Sequence, residues 1–437
     1  MRQVGLFCAL LFVGCGSPSN DVPGEPGSGG DGTASAAGSG GSDAGRNNLA
    51  GGSVAGTKGG AAGSTGGGGR AGQDAAPGVG GSTSGGGSTA DSGPTPPVCG
   101  ISNSDPAPPS DWVNATGNLA GMASQCGNLS LVSAKPCSKT IITGVGGNGL
   151  FWTENGGELW SSLGTGLGSD PLDHRIASVV YDPTNPDTFW ESGYYGSHGG
   201  VYTTSDGGTT LHQLGTISHN DSVSVDLADP GHRTLLAGGH EQPLKLWLST
   251  DGGQTFTDIG AALNSGTAAC TSTLVIDSKT FLVGCNGSGP VGIYRSSDGG
   301  ATFTRIVDNA VNVQPLWASD GTIYWTIEKG GVYTSTDLGQ HFTLRGNATV
   351  AVGVSAPTSM AELPDGRVVV LGADHLQITS DKGVTWTPIG KPLPFRSGGS
   401  GGLSGVTYSA LTKTFFVWHR DCNNVVPADA IWRAGFE

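Results

Sequence analysis

The chain has 437 residues, 79 of them glycine and eight cysteine, and a formal net charge of −14. That acidic balance argues against nucleic acid or an anionic membrane surface as a partner, since both reward Lys and Arg. Much of the glycine sits in one N-terminal stretch, so whole-chain composition understates how globular the remainder is.

Met1-Arg2 precede an apolar run from Val4 to Val13, which suits a signal-peptide core and is too short to span a bilayer. The run ends Leu11-Phe12-Val13-Gly14-Cys15, which resembles a bacterial lipobox with Phe12 where Leu is usual. The resemblance implies a signal peptide over residues 1–14 and lipidation at Cys15. Gly16 stands where an inner-membrane retention aspartate would be, which points to an outer-membrane lipoprotein of the cell envelope. An ordinary cleaved signal peptide, giving an extracellular protein, is the alternative. Residues 15–98 are dominated by Gly, Ser, Ala, Thr, Asp and Pro and lack any aromatic residue. Such a segment buries too little apolar surface to offset its ordering entropy, so it is expected to be a disordered tether. Its root-mean-square reach would be roughly 50 Å.

From Cys99 to Glu437 short β-runs recur at a period of roughly 40 to 50 residues, the range of propeller blades. One unit runs Ile176–Tyr181, an Asp182-Pro183 turn, Thr188-Phe189-Trp190, then Gly200–Thr203. The next runs Ser222–Asp226, Asp229-Pro230, Arg233–Ala237 and Lys245–Leu248. Each unit therefore holds four strands, A to D, and Pro and Gly punctuate every boundary. One octapeptide recurs between strands C and D. It reads Ser249-Thr250-Asp251-Gly252-Gly253-Gln254-Thr255-Phe256, then returns at 296–303 and 379–386, more loosely at 204–211 and 335–342, and at 153–160 with Asn155 for the aspartate. An aspartate there accepts N–H bonds from its own turn, and a glycine relieves the left-handed position.

This pattern resembles the Asp-box (BNR) repeat of β-propellers, a superfamily that includes sialidases, sortilin-type receptors, xyloglucanase-type glycosidases and photosystem assembly propellers. The resemblance implies an all-β, seven-bladed propeller of four-stranded blades from residue 99 to 437, with the aspartates as scaffold. Six repeats leave one incomplete blade at the C-terminus, which a strand at Asp111–Ala115 would complete, closing the ring. Cys8 leaves with the signal peptide and Cys15 takes the lipid, so six cysteines remain. No Cys-x-x-Cys or Cys/His spacing suggests zinc, and an even number in an exported chain reads as disulfides. Cys270 and Cys285 are hairpin neighbours in one blade. Cys126 and Cys422 fall on the ligand face of the closure, Cys99 and Cys137 on its opposite face. The expected pairs are 270–285, 126–422 and 99–137.

Ligands of propellers meet the face opposite the A–B and C–D turns, where strand A starts and strand B ends. In blades two and three those loops hold Asp173-His174-Arg175, Tyr194-Tyr195 with His198, His219-Asn220-Asp221 and His240-Glu241. The last blade adds Trp418-His419-Arg420-Asp421. His219 and His240 are the candidate proton-transfer groups, with Tyr194 as acid or stacking platform. Arg175 is the candidate for an acidic sugar's carboxylate, with Asn220 assisting. His174, Asp221, Glu241, His419 and Arg420 complete the expected substrate contacts. A sialidase arginine triad would have to be assembled from Arg175, Arg396 and Arg420 without its usual motif. A glycosidase carboxylate pair has candidates in Asp173, Asp221, Glu241 and Asp421. The mixture of His, Tyr and Arg fits elimination at a uronic acid. The expected partner is a carbohydrate, with an acidic polysaccharide among the options, and a non-catalytic glycan- or protein-binding propeller is the alternative. A monomer without cofactor or resident metal is expected, while a divalent cation at the channel face stays open.

Overall fold

The computed structural model describes residues 93–94, 99, 107–126, 128–263, 266, 268–287, 289–311, 314–327, 331–346, 359–395 and 403–436. The signal peptide, Cys15, Arg396 and most of the tether lie outside them.

The repeated octapeptide builds one turn six times. In the copy at 249–256 the Ser249 hydroxyl donates to Oδ1 of Asp251 (2.8 Å) and accepts the N–H of Gly253 (2.8 Å). Oδ1 of Asp251 also accepts the Thr255 N–H at 2.9 Å, and Oδ2 accepts the Thr255 hydroxyl at 2.6 Å. These donors hold the Asp251 carboxyl down to about 2, although it stands in solvent. Gly252 and Gly253 take φ of 77° and 88°. At the first of these positions Leu338 (φ 56°) and Lys382 (φ 57°) replace glycine in two other copies. Each turn joins the third strand of a sheet to its fourth.

Seven antiparallel sheets of four strands result, all but one in chain order. Blade one is Leu129–Ala134, Ile141–Val145, Gly149–Thr153 and Ser161–Ser162. Blade two is Arg175–Tyr181, Phe189–Tyr194, Gly200–Thr204 and His212–Gln213, and blade three is Asn220–Val225, Leu235–Gly239, Leu246–Ser249 and Thr257–Asp258. Blade four starts at Ala268–Val275 and Phe281–Gly287; blades five and six occupy residues 316–345 and 360–389. Blade seven takes Leu403–Ser409, Thr414–His419 and Ile431–Ala434 from the C-terminus, and its fourth strand, Val113–Asn114, from the other end of the fold. That closing strand is shorter than the expected 111–115. Two short 3₁₀ turns, Gly117–Leu119 and Gly260–Leu263, are the helical elements among the described residues.

The first strands of successive blades pack on one another, which places them innermost around a channel. Side-chain alternation then sends each strand's two faces to different neighbours. In blade two, Phe189 and Tyr202 join Leu131 and Ile142 of blade one, whereas Trp190 and Val201 join Val223 and Leu235 of blade three. Three disulfides join Cys99 to Cys137, Cys126 to Cys422, and Cys270 to Cys285. The second ties the entry to blade one to the loop leaving blade seven's second strand, beside an Ala123–Val425 bridge. Gly93, expected within the tether, is buried against Ala318 and Trp317, and Pro94 lines the channel.

Candidate functional site

A channel cavity of about 240 Å³ lies toward the A–B turns, lined by Val179, Val225, Val275 and Met360 with Ser224 and Thr273. Its described lining holds no acid or base. The titratable groups gather instead at the opposite end of the inner strands, over blades two and three.

A bulge makes that gathering possible. The A–B pairing of blade three skips from Asn220–Gly239 to Ser222–Gly238, leaving Asp221 out of register. A bulged residue re-aims its side chain. The corresponding position holds Ser130, Ala177, Thr271 and Ser404 in blades one, two, four and seven, so blade three alone among these aims a carboxylate. Asp221 takes Nδ1 of His240 at 2.9 and 3.0 Å. The neutral ring bound this way carries its proton on Nδ1 and its lone pair on Nε2. Nε2 has no hydrogen-bond partner among the described residues, and the nearby Glu241 carboxylate stands 3.8 Å away.

Blade two supplies the walls. The Tyr194 ring stacks on His240 with centroids 3.7 Å apart and planes 10° apart. Tyr195 meets His240 edge-on at 4.9 Å, and the Arg175 guanidinium lies 5.4 and 5.3 Å from the centroids of Tyr194 and Tyr195. Burial, then the charge of Glu241 beside it, pushes the Tyr195 phenol up to about 12. That group stays protonated at neutral pH and is a donor. His219 is the other histidine's neighbour through the backbone, its carbonyl accepting the His240 N–H at 2.6 Å. Its Nδ1 accepts the Tyr195 N–H at 3.4 Å, which leaves its own proton on Nε2. The two histidines thus present opposite faces: His240 an acceptor, His219 a donor.

Backbone strain concentrates here. Nine non-glycine described residues have positive φ, and Tyr195 (60°), His219 (57°) and Glu241 (50°) are three of them. Each such conformation costs of order 1–3 kcal/mol and persists where surroundings over-determine it, typically at functional sites.

The structure brings Arg175, Tyr194, His219, Asp221, His240 and Glu241 together and leaves four expected residues out. His174 is fully buried, its Nε2 3.0 Å from Oε1 of the equally buried Glu191, so it belongs to the blade one–two interface. Gly193 makes this possible, because a Cβ there would come within 2.1 Å of the His174 ring. Asn220 is also fully buried, its Nδ2 on the Gly238 carbonyl. His419 packs on Phe395 in blade seven with Asp429 at 3.6 Å, and Arg420 follows it there. Tyr194, expected at the ligand, is 8% exposed and serves as the bed of His240. Sequence places Tyr195 in the ligand-face loop but gives the acid role to Tyr194, since strand alternation directs only one of two neighbours to a given face. The positive φ of Tyr195 is what turns it back, and sequence gives no sign of that.

No family model matches the chain. A xyloglucanase from Paenibacillus sp. is 29% identical over 217 residues, 46% of this chain. The chain spans only 19% of that relative's length in the match. Among solved structures, a GH74 xyloglucanase from Xanthomonas campestris is 16% identical, covering 74% of this chain and 55% of that one at a TM-score of 0.48. The extracellular domain of a one-component system from B. thetaiotaomicron is 13% identical, with 74% and 40% covered and a TM-score of 0.49. YCF48 from Cyanidioschyzon merolae is 14% identical, with 74% and 98% covered and a TM-score of 0.46. The propeller assignment rests on the strand pairings themselves.

Proposed function

We propose that the protein is an exported, glycan-directed propeller whose site is the mouth of the channel over blades two and three. The observation that carries the reading is the His240–Asp221 pair, with Nε2 left without a hydrogen-bond partner among aromatic rings. A histidine oriented by a carboxylate, with a free lone pair near a protonated phenol, is an acid–base arrangement. Asp221 is committed to His240, so a two-carboxylate hydrolysis lacks its second free member. Elimination at a uronic acid fits better. His240 Nε2 takes the proton from the carbon next to the sugar carboxylate, and that electron pair forms the new C=C bond. The C–O bond to the leaving sugar breaks, and the Tyr195 hydroxyl protonates the departing oxygen. Arg175 provides the positive charge that holds the carboxylate, and the His219 Nε2–H donates to it. The phenolate and imidazolium are then restored to their resting forms by proton exchange.

Glycoside hydrolysis is the second reading, favoured by the stretch similar to a xyloglucanase. Three disulfides favour an oxidising compartment. The Asp-box kinship and lipidation at Cys15 belong to the same proposal; unchanged soluble release of a Cys15→Ser variant would remove the anchor from it. The test of the site is a panel of acidic and neutral polysaccharides incubated with the protein. A rise in ultraviolet absorbance from unsaturated uronate, absent in His240→Ala, supports elimination. New reducing ends without that absorbance support hydrolysis, and saturable binding without either supports a binding module.

A further inference from the structure

The loop at residues 195–199, between the second and third strands of blade two, carries Tyr195 onto His240 and is fastened at both ends. At one end the Tyr195 N–H reaches His219. At the other the loop is wound around the carboxylate of Asp173, which arrives from the connection between blades one and two. Oδ1 of Asp173 accepts the N–H groups of Ser197 (3.2 Å) and His198 (3.0 Å), and Oδ2 pairs with Nδ1 of His198 at 2.9 Å. Gly196, at φ 67°, passes so close that a Cβ would stand 2.5 Å from the Asp173 carbonyl oxygen. The Tyr202 hydroxyl is shared between the carbonyls of His198 (2.7 Å) and Pro171 (3.1 Å), tying the same two segments together from beneath.

Beyond the Tyr202 hydroxyl, the clasp lies outside the core. The side chains of Asp173 and His198 are 40% and 41% exposed, and Gly196 and Ser197 lie in solvent. The one large apolar group the loop delivers is the Tyr195 ring, and it goes to the mouth of the channel. Burial works against the Asp173 carboxylate, but the hydrogen bonds from His198 and Ser197 outweigh it and hold its pKa below the ordinary 3.8. The loop is therefore built around the ionised form.

We propose that Asp173 is a positioning residue of the site: it fixes the 195–199 loop so that Tyr195 is held in place against His240. This rests on the acid–base reading above. Among the described residues Asp173 makes its hydrogen bonds to the loop and none to His240, Glu241 or Arg175, so it acts through the loop.

Two substitutions test it. Asp173→Ala removes all three interactions. Asp173→Asn keeps an oxygen for the two N–H groups and offers an Nδ2–H to the lone pair of His198 Nδ1. In Asp173→Ala, amide exchange at residues 195–199 should quicken by about tenfold or more, in keeping with the loss of several hydrogen bonds, while the inner strands keep wild-type protection. Turnover on whichever glycan the wild type cleaves should fall about tenfold with KM changed far less, as misplacement of a reacting group predicts. Asp173→Asn should restore both. Unchanged exchange in Asp173→Ala overturns the positioning role, as does wild-type turnover with a loosened loop. Exchange is read without ligand, so if no glycan is bound or cleaved the functional reading fails while the exchange arm still decides the clasp.

Discussion

Two histidine–carboxylate pairs flank the second strand of blade two, and their surroundings set them to different work. On the side facing blade one, His174 and Glu191 are sealed, each with no exposed side-chain surface. On the side facing blade three, His240 and Asp221 remain 15% and 19% exposed, among rings and next to the exposed side chain of Glu241. The sealed pair has nowhere to send a proton, and its cost of desolvation is met by mutual attraction. The open pair orients one nitrogen and leaves the other, itself buried among the rings, without a hydrogen-bond partner among the described residues. Burial, more than residue type, separates a structural histidine from a reactive one.

Crossing the two pairs gives the largest contrast. Glu191→Ala leaves the buried His174 ring without its partner, and loss of about 3–5 kcal/mol of stability is expected from urea or thermal unfolding. Asp221→Asn should cost less than Glu191→Ala, since this pair is partly exposed and the amide keeps the shape of the carboxylate. Its turnover should instead fall about 10²-fold or more as the imidazole loses its orienting base. If Asp221→Asn destabilises as much as Glu191→Ala, the two pairs are not different in kind.

Gly193 comes next because it serves both sides at once. Gly193→Ala would press a methyl into the His174 ring and to 2.6 Å from the Arg175 carbonyl oxygen, which is backbone and cannot swing aside. The expected cost is about 1–3 kcal/mol, the range for overpacking. Arg175 and Tyr194 pair directly across this strand, so lower turnover should accompany the lower melting point. A variant as stable as wild type would mean that His174 has another place to go.

The repeats were legible in the sequence because each rests on chemistry local to a short stretch, and the blade count, the closing strand and the disulfide pairs followed from fitting those repeats into a closed ring. A Ser-x-Asp-x-Gly turn makes its bonds within eight residues, so its spelling carries its shape. The mouth of the channel was legible only as a neighbourhood. Loop positions gave His219, His240, Asp221 and Arg175 correctly as neighbours, because strand ends in adjacent blades converge. The assignment within it depended on a bulge at Asp221, a left-handed Tyr195, and the space Gly193 leaves for His174. None of these has a sequence signature, since each is fixed by the partner strand.

The sealed pair also gives stability a dependence on pH. Burial lowers the pKa of His174, but the Glu191 carboxylate, with Asp173 behind it, outweighs burial and raises it above 6.5. A raised pKa in the fold means this contribution is fully present below about pH 6.5 and is lost as pH climbs through the folded value. Urea midpoints of the wild type should therefore decline as pH rises above about 6.5 relative to His174→Gln, which cannot titrate there. Parallel curves for the two proteins would show that the ring is neutral when buried.

The smallest effect separates strain that serves a turn from strain that serves the site. Lys382 and Glu241 both hold a left-handed backbone, at φ 57° and 50°. For an L-residue this conformation costs about 1–2 kcal/mol, against about 0.5–1 kcal/mol of extra chain entropy for glycine. Lys382 stands where four other copies of the turn carry Gly156, Gly207, Gly252 and Gly299, and its ion pair with Asp320 is half in solvent. Lys382→Gly should therefore gain up to about 1 kcal/mol with turnover unchanged. Glu241→Gly should gain a similar amount of stability, because the side chain it removes is 63% exposed. It takes away the carboxylate that lies beside Tyr195 and His240, so turnover should fall while the melting point rises. Opposite signs in one variant and a single sign in the other are the signature of strain kept for function. Equal behaviour of the two glycine variants in both measurements would mean that the left-handed residues at the mouth are ordinary loop geometry.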